Sequence, residues 1–234
     1  HEVLQKYLNI LADLKLRWLW SALSVTGVIV VVVFWTGLTK FRVAVAGSVF
    51  ISGAIEMVLQ VVFLLSFQII EGFVYRQLAL IIAFFMTGLA VGAGWISRQN
   101  PSQKRTHVLR RLFIRVQAGV CVAPIGLMLF FSLTHGELRN VLSPAAMGWL
   151  FSGLSLITGI LGGAHFALAV MVMAGTGVAL EKIGGGFYAL DLAGAAAGVL
   201  FAALLIIPVY GIMNMLVFLS ILACISLLTL LRQP

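Results

Sequence analysis

Apolar residues in this chain run on rather than alternate with polar ones. Seven stretches, near 18–38, 45–67, 76–97, 113–133, 146–174, 187–209 and 212–231, are almost continuously hydrophobic. Each is close to the roughly 20 residues that carry a helix across the hydrocarbon core of a bilayer. Continuous runs argue against a membrane barrel, whose strands alternate over about 10 residues. The expected fold class is therefore all-α: an integral membrane bundle of about seven transmembrane helices over residues 18–234. An amphipathic interfacial helix is expected before it, over residues 1–17. There Val3, Leu4, Tyr7, Leu8, Leu11 and Leu14 recur at helical spacing, and Glu2, Lys6, Asp13 and Lys15 take the other side.

The fifth run is long for one crossing. From Ala145 to Ala174 it spans about 45 Å as a helix. It must tilt, protrude or break, and Gly162-Gly163 is the expected bend. Pro124 is expected to kink the fourth run. No Pro-, Gly- or Ser-rich linker marks a second domain.

Composition sharpens this picture. Hydrophobic residues make up 62% of the chain and charged residues 9%, against about 25% charged in a soluble domain. In lipid that balance is tolerable, because each helix satisfies its own backbone. The net charge of +8 is spread over helix ends and one loop, so it reads as topology and lipid contact rather than as a nucleic-acid surface. The loop Ser97–Leu112 is the most basic segment and is expected on the cytoplasmic side. Ten bases then fall inside: Lys40, Arg42, Arg98, Lys104, Arg105, Arg110, Arg111, Arg115, Lys182 and Arg232. Five fall outside: Lys6, Lys15, Arg17, Arg76 and Arg139. The expectation is a multi-pass protein of the bacterial inner membrane, with its N-terminus outside and its C-terminus cytoplasmic. The chain opens on His1 rather than Met, which suggests a processing point or a boundary within a longer polypeptide. Cys121 and Cys224 lie in separate runs at no metal or redox spacing and read as small buried hydrophobes.

Polar groups inside the runs are the candidates for chemistry, since lipid makes them costly. Glu56 and Gln60 lie one turn apart on the second run, with Gln68 further along. They fit either a proton or cation site or an interhelical hydrogen bond. Asp191 lies shortly after Gly184-Gly185-Gly186, where it fits a helix cap or a site at the cytoplasmic face, near Glu181 and Lys182. His165 is the one histidine clearly within a run; His135 and His107 are at its margins or in the basic loop. A haem held between facing histidines is therefore not expected, and neither is any other cofactor or metal. Small-xxx-small pairs, Gly88 with Gly92, Gly159 with Gly163 and Gly194 with Gly198, are the expected places of close helix packing. No Walker loop, GxGxxG or HExxH occurs, so this chain alone carries no motif for group transfer.

Three blocks have a further meaning together. They are SGAIEMVLQVVFLLSFQIIEGFVYRQLALIIAFFMTGLAVGAG, LGGAHFALA and GGFYALDLAGAAAGVLFAALLIIPVYGI. Over Ala46 to Ile212 the chain resembles the membrane domain of bacterial membrane-bound spermidine-synthase-like proteins, polyamine aminopropyltransferases with an integral membrane region. The resemblance implies a membrane module beside a soluble Rossmann-like domain that binds decarboxylated S-adenosylmethionine and a polyamine. No such domain is in these 234 residues. Tyr188 and Asp191 match the family pattern. Aligned on Phe67-Gln68, the family's usual Glu is Gln60 here, with Glu56 one turn earlier. His165 and Ala167 stand where the family commonly has an acid and a proline.

Three functions follow as expectations. The first is a non-catalytic membrane module that anchors or assembles a partner domain or complex at the inner membrane, with lipid and other subunits as its partners. The second is a transporter of a polyamine or other organic cation, with Glu56, Gln60, Tyr188 and Asp191 as binding candidates. The third is a membrane subunit of a redox complex, in which His165 contacts a quinone or an extracytoplasmic cytochrome is docked.

Overall fold

A computed structural model describes residues 41–72, 75–98, 106–134, 143–175 and 180–232. The expected interfacial helix over 1–17 and the first apolar run lie outside the described residues, as does His135. What is described is all-helical. Helices α1 (Phe41–Glu71), α2 (Tyr75–Ser97), α3 (Thr106–Thr134), α4 (Pro144–Ala174) and α5 (Leu180–Phe201) are followed by a π-helical turn (Ala202–Ile206) and α6 (Ile207–Leu231).

Among the described residues five helical stretches are long and apolar enough to cross a membrane, as in a multi-pass membrane protein. The expected count of about seven is not supported by the described residues. The sixth and seventh runs join in one stretch, Glu181–Leu231, of 51 residues. A straight helix of that length would measure about 76 Å, more than twice a hydrocarbon core. Its geometry is interrupted at Gly211, whose φ of 80° and ψ of 174° lie outside the helical region and suit glycine alone. Pro208, lacking an amide hydrogen, and the π-turn just before it loosen the same region.

The ends of α4 are set locally. Ser143 caps its start, accepting from the Ala146 amide at 3.3 Å, and Pro144 occupies the first turn, where an amide donor is not needed. The expected bend at Gly162-Gly163 does not break the helix, which is continuous through both residues. In lipid an unpaired backbone group is costlier than glycine's lost propensity, so the hydrogen-bonded run persists.

Helix directions follow from side-chain pairings. Gln60 meets Ser155 and Glu56 lies against Gly162, so α1 and α4 run antiparallel. Gln77 lies against Gly148, Ser155 reaches Ile81, and Leu89 backs onto Gly163, so α2 and α4 run parallel. Phe113 stacks on His165 and Leu161 lies over Gly119, so α3 is antiparallel to α4. Helix α4 is thus the central strut, and glycine lets its neighbours touch it backbone to backbone. A Cβ on Gly88, Gly92, Gly159 or Gly163 would collide with main-chain atoms of the facing helix. A second seam joins α1 and α5, where Gly194 lies on the Phe50 backbone and Gly198 on Ala54.

Two apolar clusters fill the interior. One holds Phe63, Phe67 and Phe151, with edge-on rings whose centroids are 5.8–6.3 Å apart. The other holds Val49, Ile96, Phe113, Leu168 and Val172. They meet near Ser52 and His165, where the polar residues collect.

Candidate functional site

Glu56 is the midpoint of the 31-residue helix α1 and is 8% exposed. Two local features seat it. Ser52, one turn earlier, donates from Oγ to Glu56 Oε1 at 2.5 Å. On the facing helix, Gly162 leaves the space that the carboxyl fills; a Cβ there would overlap Oε2. A carboxyl at this depth needs such partners, because the hydrocarbon supplies none.

Asp191 approaches the same region from α5. A Cβ on Gly53, one turn from Glu56, would stand 2.6 Å from Asp191 Oδ1, and the two carboxyls are close enough to interact electrostatically. This corrects the reading of Asp191 as a helix cap. Helix α5 begins no later than Leu180, so Asp191 lies about three turns in, beyond the reach of terminal amides. Glu181 is the acid in the first turn. Among the described residues neither Glu56 nor Asp191 has a Lys, Arg or His partner.

Gln60 continues the layer one turn along α1. Ser155 Oγ lies 2.7 Å from Gln60 Oε1 and 2.9 Å from the Ile81 carbonyl. One hydroxyl hydrogen cannot serve both. With the amide turned so that Nε2 donates to Ser155, Ser155 donates to Ile81 and both contacts are good. In either orientation one end of the Gln60 amide is left without a partner.

Two more buried groups have spare capacity. His165 is 1% exposed, stacks on Phe113 at 4.9 Å and leaves Nε2 unpartnered. Gln117 is fully buried on α3, one turn from Phe113, and neither end of its amide has a partner. The pairings of Phe113 with His165 and Gly119 with Leu161 put Gln117 level with Gly162, the depth of Glu56. The structure therefore brings Glu56 and Asp191 to one seam, with Gln60 one turn further along α1, while His165 stacks on Phe113 about one turn beyond Gly162 on α4. Tyr188 is not part of that seam: its side chain is 58% exposed on the outer face of α5.

Sequence reasoning missed Ser52, Gly53, Gln117, Ser155 and Gly162. Two of them left a local signal, Ser52 by its four-residue spacing from Glu56 and Gln117 by interrupting an apolar run. Ser155 is joined to Gln60 across 95 positions, a relation no local pattern carries. Among the described residues no group of three or more His, Cys, Asp and Glu side chains is placed to hold a metal. What the layer offers instead is negative charge and amide dipoles in a low-dielectric interior, a setting that favours a cation or a transferable proton. No protein-family model, curated protein or solved structure matches the chain.

Proposed function

We propose that this chain is a multi-pass membrane protein that binds a cation inside the bilayer at Glu56 and Asp191, as a transporter of a polyamine or another organic cation. One observation supports this above the rest. Two carboxyls approach each other across the α1–α5 seam with no basic side chain among the described residues to neutralise either. Like charges in a low-dielectric interior repel strongly, and a cation between them reverses the sign of that interaction. The spare end of the Gln60 amide, one turn away, is a further dipole for an amine. The orientation that suits this reading places the basic loop after α2 and the C-terminus in the cytoplasm, as the ten-to-five distribution of bases favours.

The test is uptake of radiolabelled spermidine into proteoliposomes. Saturable uptake is expected, falling about ten- to a hundredfold in Glu56→Gln and in Asp191→Asn, since a contact to a charged group contributes about 1.5–3 kcal/mol. Uptake that ignores both substitutions, or no uptake by the unaltered chain, overturns the proposal.

A second reading keeps the resemblance to spermidine-synthase-like membrane domains and makes the chain a non-catalytic anchor for a partner domain at the inner membrane. What favours it is the division of faces. Glycine seams bind α1, α2, α4 and α5 into a tight unit, while Tyr188, Leu200 and Leu204 on and after α5 face outward. A photo-crosslinker in place of Leu204 is expected to give one discrete protein adduct in cells. Adducts with lipid alone count against an anchoring role for this face.

A further inference from the structure

The bundle seats the Glu56 carboxyl without equipping it to stay ionised. The residue is buried at the midpoint of α1, as far from both helix ends as that helix allows. Ser52 Oγ donates to Oε1 at 2.5 Å and is the one hydrogen-bond donor to the carboxyl among the described residues. Oε2 lies against Gly162, which has no side chain to offer and whose amide belongs to the continuous helix α4. An ionised carboxylate has about four lone-pair sites to fill. One hydroxyl does not replace the water lost on burial, and a buried charge without a counter-charge is neutralised by a proton instead. The groups on the neighbouring helices supply no counter-charge. On α5, Asp191 faces the α1 backbone, with Oδ1 2.6 Å from where a Cβ on Gly53 would stand, and it is an acid itself. On α4, His165 stacks on Phe113. On α3, the buried residue level with Gly162 is Gln117, which is neutral, and Arg110 lies over Phe41, about four turns of α1 from Glu56. On α2 and α6 the charged residues described, Arg76, Arg98 and Arg232, are at or beyond the helix ends.

We propose that Glu56 carries a proton whenever the site holds no cation, and that each cation bound displaces it, so that the protein exchanges cations for protons. This rests on the cation site at Glu56 and Asp191 and adds its coupling. On binding, the O–H bond at Oε2 breaks and its electron pair stays on the carboxylate. The proton leaves to water on the side from which the cation came, while Oε1 keeps the bond from Ser52. On the opposite side the cation leaves and water returns a proton to Oε2. Neither half of the cycle is dispensable. A site that turned round empty and ionised would take an uncompensated charge through the interior, the state that burial penalises most.

Infrared difference spectra of the full chain in lipid nanodiscs, recorded at neutral pH as spermidine is washed in and out, read the proton directly. Bound radiolabelled spermidine is counted on the same samples. The expected result is loss of the C=O band of a protonated carboxylic acid and gain of carboxylate bands as spermidine binds, both reversed on washing. Glutamate isotopically labelled at its side-chain carboxyl, supplied in cell-free synthesis, shifts the lost band and assigns it to glutamate in the unaltered chain. Glu56→Gln removes the band, whereas Glu71→Gln, at the end of α1, retains it, so the assignment survives a Glu56 variant that fails to fold. The apparent affinity for spermidine is expected to fall about tenfold for each unit by which the pH is lowered, the linkage of one proton to one cation. Titration of His165 would also make binding depend on pH, but an imidazole has no carboxylic-acid band to lose. Spermidine bound with no change in the acid band, a lost band that the glutamate label does not shift, or an affinity that ignores pH overturns the exchange and leaves the cation site standing. No bound spermidine overturns both.

Discussion

Gly163→Ala is expected to destabilise the protein by about 3 kcal/mol, and a larger side chain there to prevent folding. The added Cβ would overlap the Leu89 carbonyl oxygen, with the Ala93 amide close behind. Neither atom belongs to a side chain that can rotate away. Relief requires α2 and α4 to separate, and these helices touch along three turns through Gly88, Gly92, Gly159 and Gly163. Separation would also pull Ser155 from the Ile81 carbonyl, leaving its buried hydroxyl without that acceptor. Gly94 and Gly126 give the contrast. Both lie within helices and have nothing within 4 Å of an added Cβ. Alanine at either is expected to change stability by no more than about 0.5 kcal/mol, with a gain as plausible as a loss because alanine is the better helix former. Unfolding of each variant in mixed lipid–detergent micelles, followed by denaturant titration, separates the two classes. If Gly163→Ala unfolds together with Gly94→Ala, the main-chain seam is not what holds α2 to α4.

The same glycines show what local pattern conveys and what it withholds. Small-xxx-small spacing marked Gly88, Gly92, Gly159, Gly163, Gly194 and Gly198 as contact points, since spacing is a local property. It did not say that α2 would meet α4 and α1 would meet α5, which depends on the whole bundle. The gap between the last two apolar runs coincides with Gly211, where a polar-poor sequence still needed a residue able to adopt positive φ. Glycine misled in two other places. Gly162-Gly163 was read as a bend and Gly184-Gly186 as the threshold of a helix. Both sit inside continuous helix, because a bilayer penalises broken backbone bonds more than it penalises glycine. The second error moved the expected start of α5 and turned Asp191 into a cap. Of the candidate site, Glu56 and Gln60 were legible because charge and amide within an apolar run stand out. Gln117 was passed over although it too interrupts an apolar run, and its level with Gly162 exists only once α3 and α4 pack.

A final expectation concerns the fit of Glu56 to Gly162, and it separates a seat built for the carboxyl from a chance approach. Gly162→Ala places a methyl group on Glu56 Oε1 and Oε2, so it is expected to cost about 2–3 kcal/mol and to displace the carboxyl from Ser52. Glu56→Ala removes the obstruction and also the acid, leaving a cavity lined by Ser52 and the α4 backbone. The double variant fills part of that cavity with the new methyl group. Its stability is therefore expected to exceed the sum of the single effects by about 1–3 kcal/mol, the range of coupling between side chains in contact. The same cycle with Gly153→Ala, on the same helix but with nothing within 4 Å, is expected to be additive to within about 0.5 kcal/mol. If Gly162→Ala and Glu56→Ala add in the same way, Glu56 does not occupy the space at Gly162. The cation site would then lack the wall that holds its carboxyl at the middle of α1, and the loss of uptake expected in Glu56→Gln would need another cause.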